Sequence, residues 1–260
     1  MKEVFILSYW DWFLKSFYSK KVIAYSRFRP ITSTIGYVLF IIFISSIPYF
    51  VTLYSTATSA VEQFDNMLQN DIPNFHLREG TLYWESEEPF YTEVAGEGFF
   101  LIDSSNTYSE QELQQLVDGI ALQQREFLFI ADGNSQSIPY TLLGLQEFTK
   151  EDLSKRINDL QGFLPILLFI IIFLLFVALS GLAFLGISLL AFVALLLKGA
   201  RNLEYRHLWL ITAHALTLPV ILLAWVDVLF YPIPFSAFIA STFLLVLISV
   251  KSIPVPQKKS

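Results

Sequence analysis

The chain has 260 residues, of which 54% are hydrophobic and 16% aromatic, and its mean hydropathy is +0.54. It contains several uncharged runs long enough to cross a bilayer, which excludes an ordinary soluble domain and predicts an integral membrane protein. There is no cysteine, so a disulfide, a thiol nucleophile and a thiolate metal site are excluded. We expect no nucleic-acid partner.

Residues 1–34 carry an aromatic stripe at helical spacing in the stretch VFILSYWDWFLKSFYSKK. The stripe consists of Ile6, Tyr9, Trp10, Phe13 and Phe17. Aromatic rings and lysines suit the headgroup region of a bilayer, so we predict a cytoplasmic or interfacial amphipathic helix that acts as an anchor. A docking site for a partner helix is the alternative interpretation.

The first transmembrane helix is predicted at residues 35–55. The 34 residues before it are far longer than the n-region of a signal peptide, so we predict an uncleaved span. The stretch AVEQFDNMLQ that follows is expected to continue the same helix beyond the membrane.

Charge is distributed unevenly along the chain. Residues 56–160 contain 19 acidic and five basic residues, a net charge of −14, whereas the remainder carries +8. Basic residues near short loops mark the cytoplasmic side, so those before the first span place the N-terminus inside. They are Lys15, Lys20, Lys21, Arg27 and Arg29. The acidic segment then lies outside, where it can attract a cationic envelope component or a basic partner.

Residues 56–160 are predicted to form a small extracytoplasmic α+β domain. Ser109 and Glu112 have the spacing of a capping box, which predicts a helix that ends at Gly119. Apolar runs between turn residues predict the strands. These are Phe75–Trp84, as two strands around a turn at Glu79-Gly80, and Gly98–Asp103, Glu126–Asp132 and Ile138–Leu143.

Two of these strands end in turns that contain an aspartate, Asp103 and Asp132, which raises the question of a cation site. Counting from Asp132, the positions that an EF-hand loop fills with Gly and Glu are Ser137 and Leu143. The pattern therefore fails for an EF-hand, and Asx turns are the favoured interpretation.

No catalytic or cofactor signature is present. The sequence lacks GxSxG, HExxH, GxxxxGK[ST] and GxGxxG motifs, and its three histidines are scattered. Paired carboxylates such as Glu87-Glu88 carry little specificity. We therefore predict no enzymatic activity, no cofactor and no metal site.

The uncharged run Gly162–Leu197 would measure about 54 Å as a helix, against a hydrocarbon core of about 30 Å. It could cross the membrane once, or twice with a turn at Ser180-Gly181. One crossing is favoured, because it frees no backbone groups in lipid and keeps the later basic residues in the cytoplasm. A single helix from about Lys150 to Ala200 is then expected. Those basic residues are Lys198, Arg201, Arg206, Lys251, Lys258 and Lys259.

Small side chains mark one side of this long helix. Because they share one arc and allow close approach of backbones, they predict a helix-packing face. They are Ala178, Gly181, Ser188 and Ala191.

Two ionisable residues lie in the following apolar stretch. His214 lies mid-span, five residues before Pro219, and Asp227 lies near the outer boundary. Intramembrane ionisable residues serve proton relay or ligand contact, so these two form a candidate intramembrane polar site. The structural alternative is that a neutral histidine bonds a carbonyl freed by the proline and that the aspartate is hydrated.

The predicted fold class is a membrane α-helical protein with four transmembrane helices and a small α+β extracytoplasmic domain inserted between helices 1 and 2. Residues 161–260 hold the last three spans, at 162–197, 207–227 and 234–250. Both termini are predicted to be cytoplasmic.

A resemblance covers nearly the whole chain and rests on three stretches: WDWFLKSFYSKKVIAYSRFRPITSTIGYVLF, FFLIDSSN and KGARNLEYRHLWLITAHALTLPVILL. They resemble an uncharacterised bacterial membrane family, some of whose members in Gram-positive bacteria are labelled maltodextrin utilisation proteins. The second half is also similar to the wider Yip-type (Ypt-interacting protein) membrane superfamily. The resemblance implies a multi-pass fold in the bacterial plasma membrane with an exported insertion, and no catalytic residues.

Three functions stay open. The leading hypothesis is a non-enzymatic membrane accessory or regulatory protein, whose extracytoplasmic domain binds an envelope partner or ligand and whose long helix passes the change inward. The alternative is a component that assists malto-oligosaccharide transport, and the third is an envelope hydrolase, which rests on carboxylates alone. The expected partners are the lipid bilayer and a membrane or envelope protein, in an oligomeric state that is left open.

Overall fold

A computed structural model describes residues 8–86, 88–94, 98–116, 118–145 and 147–255. The chain forms two compact units, which we call the helical unit (Met1–Leu53 and Phe169–Ser260) and the sheet unit (Tyr54–Leu168). The protein is thus a mixed α+β chain with long apolar helices and two sheets. Ile6, Glu87, Lys258 and Lys259, named above, lie outside the described residues.

The helices and strands follow one another in the following order. The N-terminal helices are α1 (Tyr9–Ser16) and α2 (Lys20–Tyr25), followed by a 3₁₀ turn at Ser26–Phe28. The remaining elements are α3 (Ile31–Asn70), β1 (Phe75–Arg78), β2 (Thr81–Trp84), β3 (Phe90–Val94), β4 (Gly98–Asp103), α4 (Glu110–Leu113), β5 (Gly119–Gln123), β6 (Glu126–Ala131), β7 (Asn134–Pro139), β8 (Glu147–Thr149), α5 (Lys150–Leu197), α6 (Tyr205–Ala215), α7 (Thr217–Leu229) and α8 (Phe235–Lys251).

The N-terminal segment forms two helices where one was predicted. Ser8 and Asp11 form a capping box that begins α1. Ser19 caps α2 by accepting a hydrogen bond from the backbone N–H of Val22. A serine side chain that bonds the backbone in this way favours the start of a new helix over the continuation of the preceding one. Ser19 therefore divides the segment into two helices.

Three helical segments are long and apolar enough to cross a membrane: α3, α5, and α6 with α7 taken together. They are consistent with a membrane protein. At 17 residues α8 is shorter, so four spans stay a prediction. The two-crossing alternative for the long run is wrong, because α5 continues through Ser180-Gly181 over 48 residues, about 72 Å.

Pro219 explains why the segment after α5 is two helices. Proline has no N–H to donate to the carbonyl oxygen of Ala215, and Ala215 is the last residue of α6. At this break the Thr217 hydroxyl donates to the carbonyl oxygen of His214 at 2.8 Å. A side-chain hydroxyl therefore adds a hydrogen bond at the place where the helix is interrupted.

Helix α6 forms the centre of the helical unit. Seven of its eleven residues are buried, among them Leu208, Ile211 and Ala215. These three residues belong to one hydrophobic cluster with α2, the end of α5 and α8. Ala213, also in α6, belongs to a second cluster with α3 and the middle of α5.

Arg201 fixes the loop that follows α5. Its guanidinium donates to the carbonyl oxygens of Ile253 at 2.9 Å, Lys251 at 3.2 Å and Lys198 at 3.2 Å. A cation is favourable beside the orphan carbonyls of a helix C-terminus. The C-termini of α5 and α8 therefore lie together around one arginine.

The sheet unit contains two sheets. A three-stranded antiparallel sheet has the order β2-β1-β8, and a five-stranded sheet has the order β3-β4-β5-β6-β7, in which β4 and β5 are parallel. Two hairpins turn through two residues with positive φ, Glu79-Gly80 (54° and 72°) and Asp132-Gly133 (51° and 71°). Such pairs of φ values belong to type I′ turns, which match the twist of the strands.

Both faces of the five-stranded sheet are covered. Phe100 and Ile102 of β4 point to a core shared with the three-stranded sheet and the ends of α3 and α5. Phe99 and Leu101 point to the opposite face, where Leu113 of α4 covers them. The alternation of side chains along a strand thus divides β4 between two cores.

The strand predictions at 75–84, 98–103 and 126–132 are confirmed, and three strands were missed. The strand predicted at Ile138–Leu143 is wrong beyond Pro139, because Tyr140 begins a turn. The helix predicted to end at Gly119 has only four residues, Glu110–Leu113, and Gly119 instead begins β5.

Gly119 yields a prediction about the stability of the sheet unit. A Cβ at this position would lie 2.4 Å from the buried ring of Phe99, so Gly119→Ala is expected to cost about 1–3 kcal/mol through overpacking. The matched control is Gly162→Ala in α5, where nothing lies within 4 Å of the added carbon. Helix propensity predicts a gain of about 0.5–1 kcal/mol there.

Pulse proteolysis of the full chain in detergent across a urea series measures both effects. Equal urea midpoints for the two variants would contradict the close packing of Gly119 on Phe99.

Candidate functional site

His214 is enclosed by aromatic side chains in the helical unit, with 1% of its surface exposed. Its ring stacks on Tyr37 with centroids 4.4 Å apart and meets the edge of Trp12 at 5.8 Å. Its Nδ1 lies 3.0 Å from the carbonyl oxygen of Leu210, one turn earlier in α6. The expected bond to the carbonyl freed by Pro219 is therefore wrong.

We call Trp12, Tyr37 and His214 the aromatic cluster. The Tyr37 hydroxyl lies 2.7 Å from the hydroxyl of Thr217, and the Arg29 guanidinium lies 4.8 Å from the Trp12 ring centroid. The cluster thus joins α1, α3 and the α6–α7 break, which is the arrangement that a structural role requires. A proton-relay role for His214 stays a prediction.

Asp227 lies outside the aromatic cluster and has its own hydrogen-bond partners. One carboxylate oxygen accepts a hydrogen bond from the Tyr49 hydroxyl and the other accepts one from the backbone N–H of Ile233. These bonds tie the end of α7 to α3 and to the turn before α8. Because Asp227 is 13 residues beyond His214, up to about 20 Å separates them along the helices. His214 and Asp227 thus have different hydrogen-bond partners, and a joint polar site stays a prediction.

The predicted packing residues of α5 differ in their burial. Ala191 is fully buried and Ser188 is half-buried, and the Ser188 hydroxyl accepts a hydrogen bond from the Trp209 indole at 3.3 Å. Ala178 and Gly181 are exposed within the chain, so a contact through them stays a prediction. Within the helical unit the buried stripe of α5 runs through Ser180, Ile187, Ala191 and Ala194.

The aspartates at the strand ends have local structural partners. Asp103 is fully buried, and its carboxylate accepts the backbone N–H groups of Thr107 and Tyr108, each at 2.9 Å. Asp132 occupies a type I′ turn, and its own N–H donates to a side-chain oxygen of Asp118 at 2.8 Å. Among the described residues, no group of three His, Asp or Glu is placed to hold a metal ion.

The sheet unit contains a polar pocket of about 270 Å³ that no motif predicted. It lies beside the end of β2, the turn after β4 and the β5–β6 turn, and Trp84 contributes to its wall. The Trp84 indole N–H is buried and has no hydrogen-bond partner within the described residues. Other lining residues are Tyr83, Glu85, Ser86, Ser104 and Gln124.

Several hydrogen bonds hold the walls of this pocket. The carbonyl oxygen of Gln124 accepts the N–H of Leu82 at 2.8 Å, and the Gln124 N–H donates to the side chain of Asn106 at 3.1 Å. Next to it, the buried Tyr140 hydroxyl donates to the carbonyl oxygen of Gln123 at 2.8 Å. Burial, with the nearby Glu126 carboxylate, raises the pKa of Tyr140, so the donor stays protonated.

Comparison with known proteins gives a match to a family model. A family model described as "Protein of unknown function (DUF1189)" matches residues 10–253, which include parts of both units. No curated protein and no solved structure matches the chain. Because the family model covers most of the sequence, the chain belongs to the DUF1189 family.

Proposed function

We propose that this protein is a non-enzymatic accessory or regulatory protein of the bacterial plasma membrane, whose sheet unit lies outside the cytoplasm and binds an envelope partner or ligand. One observation carries the proposal. The chain connects the two units twice, and each connection lies within a helix. The boundary after Leu53 is within α3, and the boundary after Leu168 is within α5. A continuous helix transmits a rotation or shift along its axis, because each residue is bonded to the turn before it.

The topology that we propose has four spans, with α8 as the fourth and both termini cytoplasmic. The Arg201 contacts support it, since they bring the ends of α5 and α8 to the same side. Lys198, Arg201 and Lys251 lie at these ends, and basic residues beside spans favour the cytoplasm. The acidic sheet unit is then extracytoplasmic. We also propose that α5–α8 are related to the Yip-type superfamily. This similarity rests on the long span, the basic loop and the span that contains a proline.

A comparison of insertions tests the role of the continuous helices. Seven Gly/Ser residues are inserted after Ser59 in α3 and after Asp159 in α5, both exposed positions in the sheet unit. The matched control inserts seven helix-forming residues at the same places, which adds about two turns and preserves continuity. In a strain that lacks the gene, we expect the helical insertions to restore the wild-type phenotype and the flexible insertions to fail.

The proposal is wrong if the flexible insertions restore the phenotype as fully as wild type. It is also wrong if a chain without residues 56–152 does so.

Cysteine labelling tests the topology. The chain contains no cysteine, so an introduced thiol is the only one present. In intact cells, a membrane-impermeant maleimide is expected to label Gln115→Cys in the sheet unit. It should label Ala200→Cys, beside Arg201, only after the membrane is permeabilised. Labelling of Ala200→Cys from outside would show that α5 ends on the outer side and would overturn this topology.

A second candidate function is assistance in malto-oligosaccharide transport, as the family resemblance suggests. The polar pocket favours it, because an aromatic ring beside carboxylate, hydroxyl and amide groups can stack on a sugar and bond its hydroxyls. Calorimetric titration of the full chain in detergent with maltotriose is expected to show binding that Trp84→Ala abolishes. Tyr91→Ala, on an exposed side chain outside the pocket, is the control. No heat of binding by the wild type would exclude this candidate.

A further inference from the structure

The helical unit contains a cavity of about 550 Å³ between α3, α5, α7 and α8. This volume is within the range of about 300–1,000 Å³ that small-molecule sites occupy. Most of the wall is apolar, with side chains such as Phe50, Leu179 and Phe238. The polar lining residues are Ser45, Ser46, Tyr49, Asp227 and Thr242.

The cavity follows the helices for several turns. Its wall on α3 extends from Ile42 to Leu53, and another wall extends from Leu216, between α6 and α7, to Asp227 in α7. Eleven residues of helix correspond to about 16 Å in each case. A hydrocarbon chain can lie along an apolar wall of this length, in van der Waals contact with the side chains that form it.

One end of the cavity carries a negative charge. Asp227 is two residues from the end of α7, and the wall formed by Leu216, Val220 and Ala224 extends from it along one side of the cavity. Lysine, arginine and histidine are absent from the described lining residues. The carboxylate charge therefore has no cationic partner there.

The Asp227 carboxylate can accept further hydrogen bonds. Each of its oxygens accepts one bond within the protein, from Tyr49 or Ile233, and a carboxylate oxygen has two acceptor sites. The cavity hydroxyls of Ser45 and Thr242 donate to carbonyls of their own helices, at 3.0 Å and 2.7 Å. A partly buried carboxylate is stabilised by an opposite charge, so a protonated amine complements this end.

We propose that the cavity binds a membrane phospholipid whose headgroup carries an amine. One acyl chain lies along the apolar wall, and the ammonium group donates a hydrogen bond to Asp227. Much of the apolar surface of α5, which forms one wall of the cavity, is exposed within the chain and is therefore open to lipid chains. The site is in the helical unit and does not depend on the function proposed for the sheet unit.

Photo-crosslinking tests the proposal with two lipids that differ in the amine. The full chain is reconstituted in nanodiscs with phosphatidylethanolamine or phosphatidylglycerol, each with the same acyl chain that carries a diazirine. We expect the ethanolamine lipid to label cavity residues about tenfold more, because only its ammonium group can form a charge-assisted hydrogen bond with Asp227. Asp227→Asn is expected to remove this preference while leaving chain labelling in place.

Two glycines of α5 supply a matched pair of variants. Nothing lies within 4 Å of a Cβ at Gly186, which lines the cavity, or at Gly181, which does not. Gly186→Leu is therefore expected to fill the cavity and reduce labelling of its residues, whereas Gly181→Leu is expected to label like wild type. Melting temperatures in detergent check that each variant is folded.

Four outcomes would overturn the proposal. Equal labelling by the two lipids would show an apolar groove without headgroup selection. A preference that survives Asp227→Asn would place the selection elsewhere. Cavity labelling that is lost in both glycine variants, or crosslinked dimers in place of lipid adducts, would show that the face of α5 binds something other than a lipid in this cavity.

Discussion

The hydrogen bonds of the backbone constrain this molecule more than any side-chain contact does. In a bilayer every N–H and C=O group needs a partner within the protein, and a helix supplies all of them. Both connections between the helical unit and the sheet unit meet this requirement by remaining helical, in α3 and in α5. Both connections are therefore helical in the part of the chain that the structure describes, and the role that we propose in passing a change along the chain depends on this continuity.

In the helical unit, side chains bond to backbone groups at the places where a helix is interrupted or ends. Pro219 interrupts the segment between α6 and α7, and the hydroxyl of Thr217 donates to the carbonyl oxygen of His214 at this break. Arg201 does the same for the carbonyls at the ends of α5 and α8. In each case a nearby side chain bonds a carbonyl oxygen at the end of a helix. Asp227 differs, because its carboxylate keeps acceptor capacity beside an apolar cavity.

Features with a strong local cause could be predicted from the sequence. The unbroken apolar run predicted α5, and the glycines after Glu79 and Asp132 marked turns that only residues tolerant of positive φ occupy. Strands β3, β5 and β8 were missed because each is short and is defined by its neighbours in the sheet. The short helix α4 has the capping signal of a longer one, yet only Leu113 reaches the core. The cavity and the polar pocket arise from several distant segments, and no local pattern contains that information.

The position of β1 between β2 and β8 has a consequence for biosynthesis. Its first partner, β2, follows immediately in the sequence, but Leu77 also pairs with Phe148, some seventy residues later and directly before α5. The three-stranded sheet therefore remains incomplete until almost the whole segment has been synthesised, and closing so long a loop adds an entropic cost that slows pairing. One edge of β1 therefore stays without its partner strand until β8 has been synthesised.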